Sequence, residues 1–230
     1  TGREYEYEED VTLKVTGAAT INVNASLAAL VALRGLSIDA NSRGRFDSAA
    51  IRRAVEAQGC QVTRVSSTPW FRDGRRFVQI RLDYADVRQA STCGLLAWSR
   101  YEFFEQDSAL IYRQTMGQAA AVEPPPSTNW KGREAIGVKL HLPSRILFYN
   151  VRDLETGQPG KIERGNILTW EQWLKDRRIG TPLVMEFRME KNSILYRTLW
   201  LFAGALVTAL AVMGGLIYWV IRRRPAAPRH

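Results

Sequence analysis

Chemistry near neutral pH needs a group that titrates or attacks there, and this chain is poor in such groups. It holds two histidines, His141 and His230, and two cysteines, Cys60 and Cys93. With His141 the one histidine ahead of the extreme C-terminus, a multi-histidine metal site is excluded and little is left for a histidine-based nucleophilic triad. His141 falls on the polar side of a predicted strand and reads as a surface side chain. No GxSxG, HExxH, CxxC, P-loop or strand-following GxGxxG pattern occurs. The expectation is a protein with no catalytic residue, no metal and no cofactor, and so not an enzyme. Glu6, Glu8, Glu9 and Asp10 are numerous enough to pair for acid–base work. They are expected mainly on the solvent side of an edge-like strand, where charge guards against aggregation.

Aromatic and basic residues are the remaining candidates. Seven tryptophans and eight phenylalanines include Trp70, Trp98, Phe103, Phe104, Trp170 and Trp173. Most belong in a core, but a sheet folded over helices with such side chains can equally line an apolar cavity for a lipid, and the pattern does not separate the two. Arginines cluster at Arg72, Arg75 and Arg76 and again at Arg177 and Arg178. Beside an anionic membrane surface each is worth about 1 kcal/mol. Twenty-six arginines against six lysines scatter such clusters by chance, so the better candidates for surface contact lie towards the C-terminus: Arg177, Arg178, Arg197, Arg222, Arg223 and Arg224. Cys60 and Cys93 either close one disulfide in an oxidising compartment or stand as two buried thiols.

The compartment follows from one segment. The run 198–221, TLWLFAGALVTALAVMGGLIYWVI, carries no charge, and as a helix it spans roughly 36 Å at about 1.5 Å per residue. Trp200 sits near one end and Tyr218 with Trp219 near the other, as aromatic belts do, and Arg222–Arg224 follow at once. This reads as a single transmembrane helix with its C-terminus in the cytoplasm and residues 1–190 exported, after a signal peptide ahead of Thr1. Residues 191–197 become a juxtamembrane linker and 222–230 a basic tail. The net charge of +9 says little about nucleic acid, because no acid follows Glu190 and four of the 32 basic residues lie in that tail. No nucleic-acid partner is expected. Ala205 with Ala209 and Ala211 with Gly215 space small residues by four, which suits packing against another membrane subunit.

The exported part reads as α+β, mostly antiparallel sheet with two or three short helices. Residues 4–15 alternate, with Tyr5, Tyr7, Val11, Leu13 and Val15 on one face. Gly17 turns the chain, Ile21 and Val23 resume the period of two, and Asn24 or Ser26 caps a helix from Leu27 to about Arg34, stopped by Gly35. Asp47 caps a second helix ending at Gly59. Residues 62–71 and 77–84 flank Asp73-Gly74 as a hairpin, and 95–104 with 109–116 form another. Pro124, Pro125 and Pro126 mark a loop over about 117–134. Residues 136–142, 146–149 and 183–190 are strands of one sheet, while Thr169 and Gln172 form a capping box for a helix bearing Trp170 and Trp173.

The opening VTLKVTGAATINVNASLAAL, the late RGNILTWEQW, the single span and the arginine tail together resemble the bacterial LppM-type envelope proteins. Gly17 and Ala18 match that family's small-residue turn between two strands, and Gly165, Asn166 and Trp170 its late motif. The resemblance implies a domain comparable to lipid-binding helix-grip folds and an association with envelope lipids; it transfers no site residue. The combined expectation is a domain anchored in a bacterial plasma membrane that binds an envelope lipid or lipoglycan, or else a non-catalytic accessory or scaffold subunit of a membrane complex.

Overall fold

A computed structural model describes residues 5–41, 45–120, 123, 128 and 130–222. The proline triplet, Arg223 and Arg224 lie outside the described residues. The chain divides into two units, Thr1–Lys191 and Asn192–His230.

The first unit is built on a seven-stranded sheet. Strands β1 (Tyr5–Leu13) and β2 (Ala19–Ser26) pair antiparallel around the Gly17 turn, with Val11 opposite Ile21. Ser26 ends β2 and caps α1 (Leu27–Arg34), its Oγ accepting from the Ala29 amide at 3.0 Å, and Gly35 stops the helix at φ 65°. That left-handed conformation costs glycine nothing. Asp47 caps α2 (Ser48–Glu56), and Ile51 and Val55 are its buried residues. Next come β3 (Val62–Val65), β4 (Trp70–Arg72) and β5 (Arg75–Tyr84). The predicted strand 62–71 is thus two strands with Pro69 between them, both paired to β5.

A 3-10 turn, Val87–Thr92, leads to β6 (Ser99–Gln106) and β7 (Ala109–Met116), a hairpin shorter at its start than its sequence suggests. Then follow β8 (Ala135–His141), β9 (Ser144–Tyr149), β10 (Ile167–Trp173), α3 (Leu174–Arg178) and β11 (Leu183–Ser193). The large sheet runs β10-β8-β1-β2-β5-β3 with β4 also on β5, and the small one β6-β7-β11-β9. The architecture is α+β and mostly antiparallel, with β1 and β8 paired in parallel. One apolar cluster fills the space between α1 and both sheets.

Four expectations need correction. First, β1 is central rather than an edge, lying between β2 and β8, so Glu6 and Glu9 are wholly buried instead of solvated. Second, Trp170 and Trp173 lie on a strand: seven residues of β10 pair with β8, and the Thr169 hydroxyl donates to Glu163 at 2.8 Å instead of capping a helix. The ladder outweighs the capping-box spacing, and the helix begins only at Leu174. Third, β8, β9 and β11 divide between the two sheets. Fourth, residues 191–197 carry regular secondary structure, since β11 runs to Ser193 and α4 spans Ile194–Arg222.

Taken by itself, α4 contains Thr198–Trp219, a stretch long and apolar enough to cross a membrane, with none of it buried.

Cys60 and Cys93 form a disulfide with a Cα–Cα distance of 4.4 Å. Closing a separation of 33 residues removes unfolded-chain entropy worth about 3 to 4 kcal/mol. Replacing both cysteines by serine is expected to lower the unfolding free energy in urea by about that amount, and an unchanged midpoint would contradict it.

Candidate functional site

Three groups of side chains stand out, two buried and one open. The innermost centres on Glu9. Its position on β1 shares a face with Tyr7, Val11 and Leu13, all buried, so the strand carries a carboxylate into the space between the sheets. Four donors meet it. Tyr7 Oη (3.1 Å) and Trp98 Nε1 (3.2 Å) bond one oxygen, and Gln114 Nε2 (3.0 Å) and Tyr101 Oη (3.4 Å) the other. Gln114 is itself oriented by Tyr112 Oη, which donates to its carbonyl at 2.7 Å. Tyr101 and Gln114 are cross-strand partners on β6 and β7, so the carboxylate links the large sheet to the small one.

Burial dominates the electrostatics of this group. It pushes the Glu9 carboxyl up from its ordinary range, although Gln114, Trp98 and Tyr7 as donors and the charge of Arg34 pull it down. Burial likewise raises the phenols of Tyr7, Tyr101 and Tyr112, with the Glu9 charge adding to each. The Arg34 guanidinium lies 4.5 Å above the Trp98 ring and donates to the Leu95 and Gly94 carbonyls at 2.7 and 2.6 Å. It is lowered by burial, with Tyr7 and Glu9 opposing the shift.

The second buried group pairs Glu6 with Arg75. Arg75 Nε bonds Glu6 at 2.8 Å, and Ser26 Oγ and Trp130 Nε1 reach the other carboxylate oxygen at 2.7 and 3.1 Å. A carboxylate with three donors and a guanidinium on a further carbonyl, Thr128 O at 3.1 Å, is a buried structural ion pair.

The aromatics expected to line a ligand cavity do not converge. Trp98 and Trp170 are core, and each indole N–H is spent, Trp170 on Asn150 Oδ1 at 2.8 Å. Phe103 packs so tightly on Gly17 that a Cβ there would lie 2.9 Å from its ring. Phe104 is part-buried with the Arg113 guanidinium 5.5 Å above it. Trp173 is part-buried where β10 meets α3. Trp70 alone of the six is substantially open, at 40% exposure, and it lines a cleft on the outer face of the large sheet.

The arginines also divide. Arg177 is fully buried, donating to the Met116 and Thr181 carbonyls and lying 5.7 Å over Trp98, so it is withdrawn from the membrane-facing set. Arg178 sits 3.7 Å from Glu123 and above the Trp130 ring. Arg222 is exposed, whereas the side chain of Arg197 lies outside the described residues. In the hairpin cluster Arg75 and Arg76 are buried, and Arg72 covers the Phe77 ring at 4.5 Å. His141 Nε2 lies 3.2 Å from Asp10 at the surface. Among the described residues no three His, Cys, Asp or Glu side chains are grouped to hold a metal.

By sequence, the chain matches no protein family and no curated protein. A solved structure that it resembles weakly is the folded domain of LppM from Mycobacterium tuberculosis, at TM-score 0.43 and 11% identity, covering 85% of this chain and 96% of that one.

Two outcomes follow. Because the native carboxyl of Glu9 is raised, its protonated form favours the fold; that contribution is complete below the unfolded value near ~4.3 and is lost as pH rises through the native value. Glu9→Gln abolishes this pH-dependent part, so the variant's stability relative to wild type is expected to rise across that window in urea titrations at stepped pH. Trp98→Ala is expected to destabilise by about 3 to 5 kcal/mol as a core truncation, checked by the same unfolding assay.

Proposed function

We propose that this is a single-pass protein of a bacterial plasma membrane whose disulfide-closed domain lies on the outer side and binds an envelope lipid or lipoglycan without catalysis. The observation that carries it is the combination, in one chain, of the Cys60–Cys93 disulfide and a membrane-length helix followed by Arg222, Arg223 and Arg224. Disulfides persist in oxidising compartments, and arginines gather on the cytoplasmic flank of a span. Both point to the same orientation. Since Trp98, Phe103 and Trp170 are packed into the fold, the ligand meets the domain at an open cleft, through its exposed polar part, rather than inside a hollow core.

A second reading, a non-catalytic accessory subunit of a membrane complex, is favoured by that same filled interior and by the small residues Ala205, Ala209, Ala211 and Gly215 in the helix. Native mass spectrometry of the full chain, transferred from its expression membrane into lipid nanodiscs of defined composition, separates the two. A stoichiometric adduct absent from the supplied lipids is expected. A clean protein mass would overturn ligand binding in favour of the accessory role.

A further inference from the structure

The cleft beside Trp70 combines features that a filled protein surface does not need. It has a volume of about 330 Å³ and opens on the outer face of the large sheet, at the small end of the range for ligand clefts. One wall is the Trp70 indole. Its back stacks on Phe77, centroids 5.7 Å apart and planes 21° from parallel, and Phe77 is in turn covered by the Arg72 guanidinium. The ring is therefore held flat and rigid while 40% of the residue stays exposed.

The floor is polar and ordered. Glu8, Asn24 and Gln79 are direct cross-strand neighbours on β1, β2 and β5. Gln79 Nε2 donates to Asn24 Oδ1 at 2.9 Å, and Asn24 Nδ2 donates to Glu8 Oε1 at 3.2 Å. This relay fixes all three side chains, and each retains capacity: every amide has a second N–H and the carboxylate a second oxygen. A preoriented row of donors and acceptors next to a flat aromatic face suits a ligand with an apolar face of C–H groups and an equatorial rim of hydroxyls. Arg72 also lines the cleft, but its guanidinium covers Phe77 and donates to the Tyr5 carbonyl; with Glu8 in the floor a phosphate is disfavoured, and an acyl chain is disfavoured by the polar row.

We propose that this cleft binds a pyranose ring, stacked on Trp70 and hydrogen-bonded by Glu8, Asn24 and Gln79. The inference goes beyond the reading above, because the ring is recognised whether it is free or carried by a lipid. The test uses the full chain in nanodiscs with indole-labelled tryptophan. It is titrated with methyl α- and β-D-glucopyranoside and methyl β-D-galactopyranoside, with the acyclic polyol sorbitol as control. At least one glycoside is expected to shift the Trp70 indole signal while sorbitol does not. By calorimetry, Trp70→Ala weakens that glycoside about tenfold or more, Trp70→Phe restores most of the loss, and Asn24→Ala with Gln79→Ala weakens it as well. Phe71→Ala, at an exposed position outside the cleft, leaves binding unchanged and reports that the hairpin is intact. A glycolipid of the same sugar placed in the nanodisc is expected to be displaced by the free glycoside. The proposal is overturned if no glycoside binds at millimolar concentration, if Trp70→Ala binds as well as wild type, or if glycolipid binds and free sugar does not compete.

Discussion

A carboxylate deprived of water must be given donors, and much of the first unit is arranged around meeting that demand at Glu9. The donors come from β1 itself, from the hairpin of the small sheet and from the turn that precedes it. No apolar contact constrains relative position as strictly, because a hydrogen bond weakens steeply with misplacement while an aliphatic contact tolerates sliding. Glu9 thus fixes the register of one sheet over the other. Replacing such a group by a hydrophobic side chain of similar volume can be neutral or even stabilising, whereas stripping away one of its partners is costly.

The turn that supplies Trp98 shows how that demand spreads through the fold. Between Cys93 and Ser99 the chain has no strand to hold it, yet Leu95 and Leu96 are wholly buried. The disulfide anchors one end to the corner after α2, and Gly94 donates to the Gln58 carbonyl at 2.8 Å. Gly94 has to be glycine here, since a Cβ would lie 2.7 Å from Gln58. Arg34, at the end of α1, takes the Leu95 and Gly94 carbonyls and stacks on Trp98. Helix end, disulfide and close backbone approach therefore converge on one indole, whose N–H closes the shell around Glu9. The disulfide is accordingly more than a tether on the unfolded chain: it pins the loop that completes the interior.

Legibility in the sequence follows the range of the interaction. Local signals survived: Ser26 and Gly35 bound α1, Asp47 caps α2, and Asp73-Gly74 turns the hairpin, because each is decided within a few residues. The Glu9 placement was misread from its charge, although its odd position shares parity with the buried Tyr7 and Val11. What could not be read were pairings such as Arg75 with Glu6 and Gln114 with Glu9, which are 69 and 105 residues apart. Trp170 illustrates the opposite failure. A local capping-box pattern was present, but pairing with β8 decided the conformation, as tertiary context commonly overrides propensity. Arg177 is similar, since a basic residue near a membrane span looks like a surface group until its carbonyl partners are known.

The same geometry decides where a ligand can be met. A core whose buried Glu9 is met by four donors and whose aromatics interlock, Tyr7 edge-on to Trp98 and Tyr112 stacked on Phe187, would have to break hydrogen bonds to admit a guest. Each buried group left unpaired would cost about 1 to 3 kcal/mol. The outer face of the large sheet carries no such penalty. There the alternation of β1, β2 and β5 turns Glu8, Asn24 and Gln79 to solvent as the counterpart of Glu9, Val23 and Val78 within. The pleat that buries one carboxylate presents its neighbour in an ordered polar row. Rigidity inside thus orders the surface outside: the inward residues hold the strands in register, and the register aligns the outward ones.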